Sequence, residues 1–382
     1  MCTTSNLKDI IISTTEPLII KNALRWELLK WDLDKWVAVL NNEELIFRRG
    51  KNGFTKNPQF ENTTDTIRLS FTEFLNYQKS NPSEWLYFDY KYLKEWLLNI
   101  SELQKNIDWS NFGFPELNFE DSTIWIGSEG AHTPCHMDTY GCNLIAQIYG
   151  KKQWLLFPPQ EDLQPTRIPY EESSIYSKMN FFTPNLEDFK DIKNCHTVIL
   201  NPGDVLILPH RWWHYVENLE LAISINTWIK LPIDHEERIG EAIVNLLVSQ
   251  MIKKLNPELQ NKFLNPSSNN GQELFIEENI TKSLSIVQTC LDIYKESEQS
   301  SKPNLQSAYC KGLLQSLSNI KVLEALSEQD FKTLIEIQTK KFPVKNSELD
   351  EDSNQLVKIL DTMLHDDVVN LIKQKLLKNY YK

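Results

Sequence analysis

The stretch Ile124–Lys152, which reads IWIGSEGAHTPCHMDTYGCNLIAQIYGKK, decides the fold of this chain. It places His136 and Asp138 between two apolar runs, and Lys152 follows a glycine turn after the second run. Side chains alternate across a β-strand, so residues two positions apart point to the same side. On a strand, His136 and Asp138 would present two metal-binding groups to one point, which suits a metal at the mouth of a barrel.

The composition of the 382 residues limits the classes of partner and compartment. A net charge of -12 and a pI near 5.2 argue against nucleic acid or an anionic membrane as the main partner. The cysteines contain no C-x-x-C pair, which predicts a reducing compartment without a zinc ribbon or a disulfide scaffold. We see neither a signal peptide nor an apolar run of membrane-spanning length, and expect a cytoplasmic protein, with the nucleus as an open alternative.

Residues 1–121 are predicted to form an α/β lead-in that packs on the barrel. The apolar pattern predicts strands at Leu18–Ile20, Glu44–Arg48 and Trp85–Tyr90, and helices at Trp26–Leu40 and Ser70–Tyr77. The stretch from Trp85 to Trp96 is rich in aromatic residues, for which core packing is favoured over a ligand cage.

Residues 122–232 are predicted to form the β-rich core, a sandwich or barrel of short strands separated by turn residues. The expected strands are Thr123–Gly127, Asn143–Tyr149, Gln153–Phe157, Thr197–Leu200, Asp204–Leu208 and Leu221–Trp228. Prolines interrupt the long segment Gln160–Cys195, which shows little periodicity, so we expect a crossing or lid loop there.

Residues 233–382 are predicted to be helical. A helix that contains Ile243 and Leu255 ends before Pro257, and a polar linker follows at Asn265–Gly271. Further helices are expected at Glu278–Glu298, Leu305–Leu326, Glu328–Lys341 and Asn354–Asn379, with a loop at Asn346–Ser353. Their apolar faces are wide enough for either an intrachain bundle or a homodimer.

The spacing of His136 and Asp138 is a weak signal by itself, because His365 and Asp367 repeat it. The second pair lies in a predicted helix, where residues two apart diverge by roughly 200° and cannot share an ion. His214 is the best candidate for a third ligand, at the start of a strand that can pair antiparallel with the strand of His136. Two histidines and one carboxylate with open positions are typical of non-haem Fe(II) oxygenases. Zinc is less favoured, since Cys135 would point away from His136.

Lys152 indicates which co-substrate such an iron would use. The strand Asn143–Tyr149 is expected to lie antiparallel to a ligand strand, which puts Lys152 at its end, near the distal carboxylate of 2-oxoglutarate. Hydroxyl groups of Thr133 and Tyr87 are candidates for the same carboxylate. Two further polar residues, Asn143 and Asn226, lie in otherwise apolar strands, and either face solvent or line the pocket.

Three stretches together resemble the JmjC family of cupin-fold 2-oxoglutarate oxygenases: WIGSEGAHTPCHMDTYGCNLIAQIYGKKQWLLFPP, NPGDVLILP and WWHYVENLELAISINTW. The branch most similar to them contains the asparaginyl hydroxylase that inhibits hypoxia-inducible factor, a wybutosine-tRNA hydroxylase and a JmjC protein associated with small heat-shock proteins. The resemblance implies an all-β core, a double-stranded β-helix or jelly roll, with helical N-terminal additions and an all-α C-terminal region. It also implies that His136, Asp138 and His214 bind Fe(II), that Lys152, Thr133 and Tyr87 bind 2-oxoglutarate, and that Asn143 and Asn226 line the cofactor pocket.

The implied function is an Fe(II)- and 2-oxoglutarate-dependent dioxygenase that uses O2 to hydroxylate a protein side chain. The alternative is a catalytically silent binding protein that acts through a partner such as a small heat-shock protein. A histone demethylase or an RNA hydroxylase is less favoured, because no zinc-finger cluster or basic module accompanies the core. The loop Thr139–Cys142 is one residue longer than its counterpart in the asparaginyl hydroxylase, so the substrate of that enzyme is not carried over.

Overall fold

The computed structural model describes residues 4–265, 279–300, 319–342 and 355–380. Its strands are β1 (Leu18–Ile20), β2 (Leu45–Lys51), β3 (Asp65–Leu69), β4 (Glu84–Tyr92), β5 (Ser122–Gly127), β6 (His132–Asp138), β7 (Cys142–Tyr149), β8 (Lys152–Phe157), β9 (Pro165–Thr166), β10 (Ser174–Ser177), β11 (His196–Leu200), β12 (Val205–Leu208), β13 (Trp213–Asn218), β14 (Ala222–Ile229) and β15 (Ile320–Val322). Its α-helices are α1 (Thr4–Ser13), α2 (Leu33–Leu40), α3 (Phe71–Ser80), α4 (Leu93–Trp96), α5 (Ser101–Asn106), α6 (Asp234–Ile252), α7 (Pro257–Phe263), α8 (Ile280–Ser300), α9 (Glu328–Lys341), α10 (Gln355–Met363) and α11 (Asp366–Tyr380).

Two antiparallel sheets form the core. The first has the strand order β15-β1-β12-β7-β14-β5-β4-β2-β3, and the second has the order β11-β8-β13-β6-β10-β9. From β5 to β8, and again from β11 to β14, successive strands alternate between the two sheets. The predicted all-β jelly-roll core with helical additions at both ends is therefore confirmed.

The central strand β7 shows why its sequence is almost continuously apolar. Leu144 and Ala146 pack into a cluster with residues of the N-terminal helices, whereas Ile145 packs on the other face with Trp154 and Val216 of the second sheet. A strand buried on both faces has no solvent side that would favour polar residues. Burial on both faces fixes the register of β7, because a slip of one residue would exchange the two faces.

The N-terminal segments agree with the prediction in type but differ in extent. The expected helix Trp26–Leu40 is divided into a 3-10 helix, Glu27–Lys30, and α2, because the Asp32 side chain accepts from the backbone N of Lys35 at 2.8 Å and begins a new helix. Either Ser70 or Thr72 was expected to begin helix α3, and the structure shows that Ser70 does, in a capping box with Glu73. The boundary predicted after residue 121 stays a prediction; β4 and β5, on its two sides, are neighbours in one sheet.

The expected loop Gln160–Cys195 contains strands that the sequence did not reveal. Strand β10 pairs with β6, so that Tyr176 lies opposite His136, and β9 extends the sheet beyond β10. These strands are only two and four residues long, too short for an alternating pattern to be recognised. The expectation of an irregular loop over the whole segment is wrong, and part of it forms the wall beside the candidate site.

The expected position of strand Asn143–Tyr149 beside a ligand strand is also wrong. Strand β7 lies between β12 and β14 in the first sheet, whereas β8, which begins with Lys152, pairs with β13 and its His214. The turn at Gly150 carries the chain from one sheet to the other. Gly150 has a φ of 62°, and a Cβ atom there would lie 1.9 Å from the carbonyl oxygen of Leu221. Only glycine fits this crossing.

The C-terminal region is largely helical, with two differences from the prediction. Residues 305–318 of the expected helix Leu305–Leu326 lie outside the described residues. For the rest of this segment the prediction of a helix is wrong, since it contains β15, an edge strand that pairs with β1. The expected helix Asn354–Asn379 is two helices, α10 and α11, and the backbone N of Asp367 donates to Nδ1 of His365 at 3.3 Å in the turn between them. The expected loop Asn346–Ser353 and the linker from residue 266 onward lie outside the described residues.

Several apolar side chains of the C-terminal helices are exposed. They are Ile280, Leu284, Ile293, Ile359, Met363, Val368 and Leu371. A homodimer through these helices stays a prediction, as does the domain boundary after residue 232. In the parts of the chain that the structure covers, no helix has both the length and the apolar composition to cross a membrane.

Candidate metal centre

The structure brings together His136, Asp138 and His214, the three ligands predicted from the sequence. One ligand atom of each lies within 4.8 Å of the others, and no other group of three histidine, cysteine or acidic residues among the described residues has this spacing. His214 on β13 lies opposite His136 on β6 in antiparallel register, and their ring centroids are 4.0 Å apart. The strand pairing thus produces the convergence that the spacing of His136 and Asp138 only suggested.

Backbone hydrogen bonds orient both imidazole rings in the same way. Nδ1 of His136 lies 3.0 Å from the carbonyl oxygen of Pro134, and Nδ1 of His214 lies 3.0 Å from that of Trp212. A carbonyl oxygen only accepts, so each Nδ1 carries the proton and each Nε2 presents a lone pair. Burial and the neighbouring His214 lower the pKa of His136, which favours the neutral ring that binds metals.

The two oxygens of Asp138 have different surroundings. Oδ2 accepts a hydrogen bond from Nε1 of Trp228 at 2.9 Å and from Nδ2 of Asn143 at 3.4 Å. Oδ1 lies 3.6 Å from Nε2 of His136. One oxygen of the carboxylate is therefore held by the protein, and the other faces the histidine.

A cavity of about 270 Å³ opens beside these three side chains, between the two sheets. Lys152, only 1% exposed, reaches its wall and donates to the hydroxyl of Tyr87 at 3.1 Å and to Oγ of Ser224 at 2.8 Å. No carboxylate of the described residues forms an ion pair with Lys152. Burial lowers the pKa of Lys152 to about 7. A buried amine of this kind would gain a partner if an anion entered the cavity.

Arg48, on the same wall, shows what a satisfied buried cation looks like. Its guanidinium donates to Oδ2 of Asp89 at 2.7 Å and to the carbonyl oxygens of Gln59 and His132 at 3.0 and 2.9 Å. The neighbouring Asp89 raises the pKa of Arg48. The contrast shows that Lys152, unlike Arg48, is a buried cation available to a ligand.

The remaining predicted contacts also line the cavity. Thr133 lies on its wall, as Tyr87 does. Asn143 and Asn226 are buried, and Nδ2 of Asn226 donates to Oδ1 of Asn143 at 2.8 Å. The alternative that these two asparagines face solvent is wrong.

Sequence reasoning missed several aromatic residues of the cavity. Trp125 and Trp228 were seen only as members of strands, although both indoles donate to polar residues of the site. Of the aromatic stretch assigned to the core, Trp85, Tyr87 and Phe88 belong to core clusters, and Tyr87 also lines the cavity as predicted. Tyr90 and Tyr92 line the cavity without belonging to either cluster. The core assignment is therefore wrong for Tyr90 and Tyr92. The signal in the sequence was the spacing of two residues between Tyr90 and Tyr92, which places both on one face of a strand.

The pair His365 and Asp367 forms no such centre, although the reason differs from the one expected. The two residues do not share a helix, because His365 lies in the turn before α11. Both side chains are exposed, and they belong to no cluster of three candidate ligands among the described residues.

The chain is similar to proteins whose names refer to three different properties. The human HSPB1-associated protein 1 is 41% identical over 278 residues, which cover 68% of this chain and 57% of the human protein. The lysine-specific demethylase JMJ30 of Arabidopsis thaliana is 29% identical over 234 residues, covering 58% of this chain and 51% of that protein. The 2-oxoglutarate and iron-dependent oxygenase JMJD4 of Gallus gallus is 27% identical over 197 residues, covering 44% and 43%. The chain spans less than two thirds of each relative.

A family model described as a cupin-like domain matches residues 4–235. This range includes every strand from β1 to β14 and all three candidate ligands. The match extends over more than half of the chain and over both sheets of the jelly roll, and the chain belongs to the cupin-like JmjC domain family.

Proposed function

We propose that the protein is an Fe(II)- and 2-oxoglutarate-dependent oxygenase that hydroxylates a protein side chain. One observation carries the proposal: a cluster of two imidazoles and a carboxylate shares a single cavity with a buried lysine that has no carboxylate partner among the described residues. The name of the Gallus gallus relative, a 2-oxoglutarate and iron-dependent oxygenase, supports the same chemistry.

The donor set fits Fe(II) better than zinc. His136, Asp138 and His214 would hold the metal through two nitrogens and one oxygen, which leaves open positions for co-substrates. Thiolates, which zinc prefers, are not offered, because Cys135 is buried in the apolar cluster with Trp213 and burial raises its pKa.

The part of the cavity around Lys152 fits a carboxylate of 2-oxoglutarate. The Lys152 ammonium and the hydroxyls of Tyr87, Thr133 and Ser224 provide one charge and several hydrogen-bonding groups there. When bound, iron and 2-oxoglutarate would supply the oxidising chemistry that no side chain has.

The protein's own residues would bind, orient and shield these groups. The strands hold the three ligands on a rigid frame, and Asn143 and Asn226 fill the space between Asp138 and Trp125 with hydrogen-bonded amides. Aromatic side chains on the cavity wall exclude water from the site. These side chains are Phe60, Tyr90, Tyr92, Trp125, Trp154, Tyr176 and Trp228.

The direct test is turnover of 2-oxoglutarate without a protein substrate. The purified protein, supplied with Fe(II), ascorbate and O2, should convert 2-oxoglutarate to succinate slowly, and a lysate protein fraction should accelerate this. The His214→Ala variant should produce no succinate above the background of iron in buffer. Equal succinate formation by both proteins, or none by either with any fraction, would contradict the proposal.

A second candidate function is a binding protein that acts through a small heat-shock protein. The supporting observation is the name of the 41% identical human relative, HSPB1-associated protein 1. Co-elution with a small heat-shock protein, measured for the wild type and for Asp138→Ala, separates the two functions. Co-elution of both variants without any succinate formation by the wild type would favour the binding protein.

A further inference from the structure

We propose that Trp228 is a positioning residue that fixes which oxygen of Asp138 faces the metal. This inference rests on the proposed metal binding, not on the identity of the substrate. Trp228 belongs to β14 of the first sheet, and Asp138 belongs to β6 of the second. The hydrogen bond from the Trp228 indole to Oδ2 of Asp138, at 2.9 Å, links the two sheets beside the candidate ligands.

The carboxylate of Asp138 has no strong orientation of its own. The torsion that rotates a carboxylate is broad, so an isolated aspartate could present either oxygen, or both, to an ion. Here Oδ2 accepts from Trp228 and, at 3.4 Å, from Asn143, whereas Oδ1 lies on the side of His136. The arrangement therefore reserves Oδ1 for the metal and favours coordination through one oxygen.

A chain of hydrogen bonds fixes the orientation of the Asn143 amide, the second donor to Asp138. The Trp125 indole can only donate, and it donates to Oδ1 of Asn226 at 2.8 Å. Asn226 must then turn its NH2 group to Oδ1 of Asn143, also at 2.8 Å. Asn143 is left with its NH2 group toward Asp138. The two amide orientations thus follow from one indole, and both ends of the network are tryptophans.

The Tyr90 ring packs against both of these indoles. Its centroid lies 5.8 Å from that of Trp125 and 5.9 Å from that of Trp228. Tyr90 lies at an irregularity in the pairing of β4 with β5 and has a φ of 54°, a conformation that residues with a side chain rarely adopt. Bulges beside active sites commonly redirect a side chain, and this one directs Tyr90 against the two donors.

The test compares two tryptophan-to-phenylalanine variants in Co(II) titrations without 2-oxoglutarate. Trp228→Phe removes the hydrogen bond to Asp138 and should weaken Co(II) binding by about 10- to 100-fold. It should also change the visible absorption of bound Co(II), because the coordination of Asp138 changes. Trp213→Phe is the matched control: Trp213 is buried next to His214, and its indole nitrogen has no partner in the described part of the chain. This variant should keep wild-type affinity and spectrum.

A folded Trp228→Phe protein with wild-type Co(II) affinity and spectrum would overturn this inference alone. A wild-type protein that binds no Co(II) would overturn both the inference and the proposed function. If Trp228→Phe does not fold, the hydrogen bond from Trp228 to Asp138 is tested by NMR instead. The indole N–H resonances of the 15N-labelled wild type are compared with those of Asp138→Ala. The Trp228 resonance should move between these proteins while that of Trp213 stays, and an unmoved Trp228 resonance would overturn the inference.

Discussion

His214 lies directly opposite His136 in the antiparallel pairing of β13 with β6, with the two ring centroids 4.0 Å apart. The sheet, rather than a loop, therefore sets the distance between two of the three candidate ligands. Because a hydrogen-bonded sheet resists local rearrangement, the site should be largely formed before a metal binds.

We expect Asp138→Ala to weaken Mn(II) binding by at least about 100-fold, because one of only three ligands is lost and two part-buried donors lose their acceptor. Equilibrium dialysis with detection of Mn(II) by electron paramagnetic resonance measures this. Asp367→Ala is the control, since Asp367 has the same spacing from a histidine but is exposed and belongs to no ligand cluster. Equal loss of Mn(II) affinity in both variants would contradict the assignment.

Lys152→Met should have opposite effects on binding and on stability. The variant should lose about 3–5 kcal/mol of 2-oxoglutarate affinity, because the carboxylate loses its charged partner in a buried site. The ligand-free protein should become more stable by about 1–4 kcal/mol, because a buried ammonium without a counter-ion is replaced by an apolar chain of similar length. Calorimetry and urea unfolding measure the two quantities.

Lys151→Met is the control for this variant, since Lys151 is adjacent but exposed. The stability effect has a defined pH dependence. The pKa of Lys152 is lower in the folded than in the unfolded state, so the unfolded state binds more protons between about pH 7 and 10, and wild-type stability gains a contribution that rises over this range. Lys152→Met should lack this contribution. A variant with unchanged 2-oxoglutarate affinity would refute the role of Lys152.

The affinity of the wild type for 2-oxoglutarate should decrease above pH 7. Burial lowers the pKa of Lys152 to about 7 in the ligand-free protein, and a carboxylate binds only to its protonated form. Below this pH the amine is already protonated and affinity is nearly constant. Above it, binding requires proton uptake and weakens by up to about tenfold per pH unit. Calorimetry at pH 8 in buffers of different ionisation enthalpy should detect that uptake. Constant affinity between pH 7 and 9 would exclude this mechanism.

Gly150→Ala should destabilise the protein more than Gly203→Ala, although both glycines have positive φ. A Cβ at Gly150 would lie 1.9 Å from the backbone oxygen of Leu221, whereas the nearest atom to a Cβ at Gly203 lies 3.8 Å away. We expect a loss of about 1–2 kcal/mol at Gly203, from the backbone conformation alone, and of roughly 3 kcal/mol or more at Gly150. Thermal unfolding of both variants measures the difference.

Equal losses of stability would show that the turn can move away from Leu221. Because Gly150 lies in the turn that leads into β8, a displaced turn should also reduce 2-oxoglutarate binding through Lys152. The Gly203 variant should retain binding.

Local chemistry in the sequence determined much of the fold. Glycine and proline turns separated most strands of the core, and the capping box at Ser70 began α3. The His136 and Asp138 spacing was informative for the same reason, since alternation along a strand is a local property. Helix α7, which is capped by Asn256 and begins at Pro257, was not predicted. The last two helices, α10 and α11, were predicted as a single helix, because the apolar face of the segment continues across the break at His365.

The sequence alone determined the jelly-roll class, the strand that carries His136 and Asp138, and the choice of His214 and Lys152. Only the tertiary structure decided that β7 lies in the first sheet, that β10 forms a wall of the cavity, and that Trp228 holds Asp138. The physical reason is that strand pairing and contacts between sheets join residues far apart in the chain. Their energies depend on which strands become neighbours, and no periodicity within one segment records that choice.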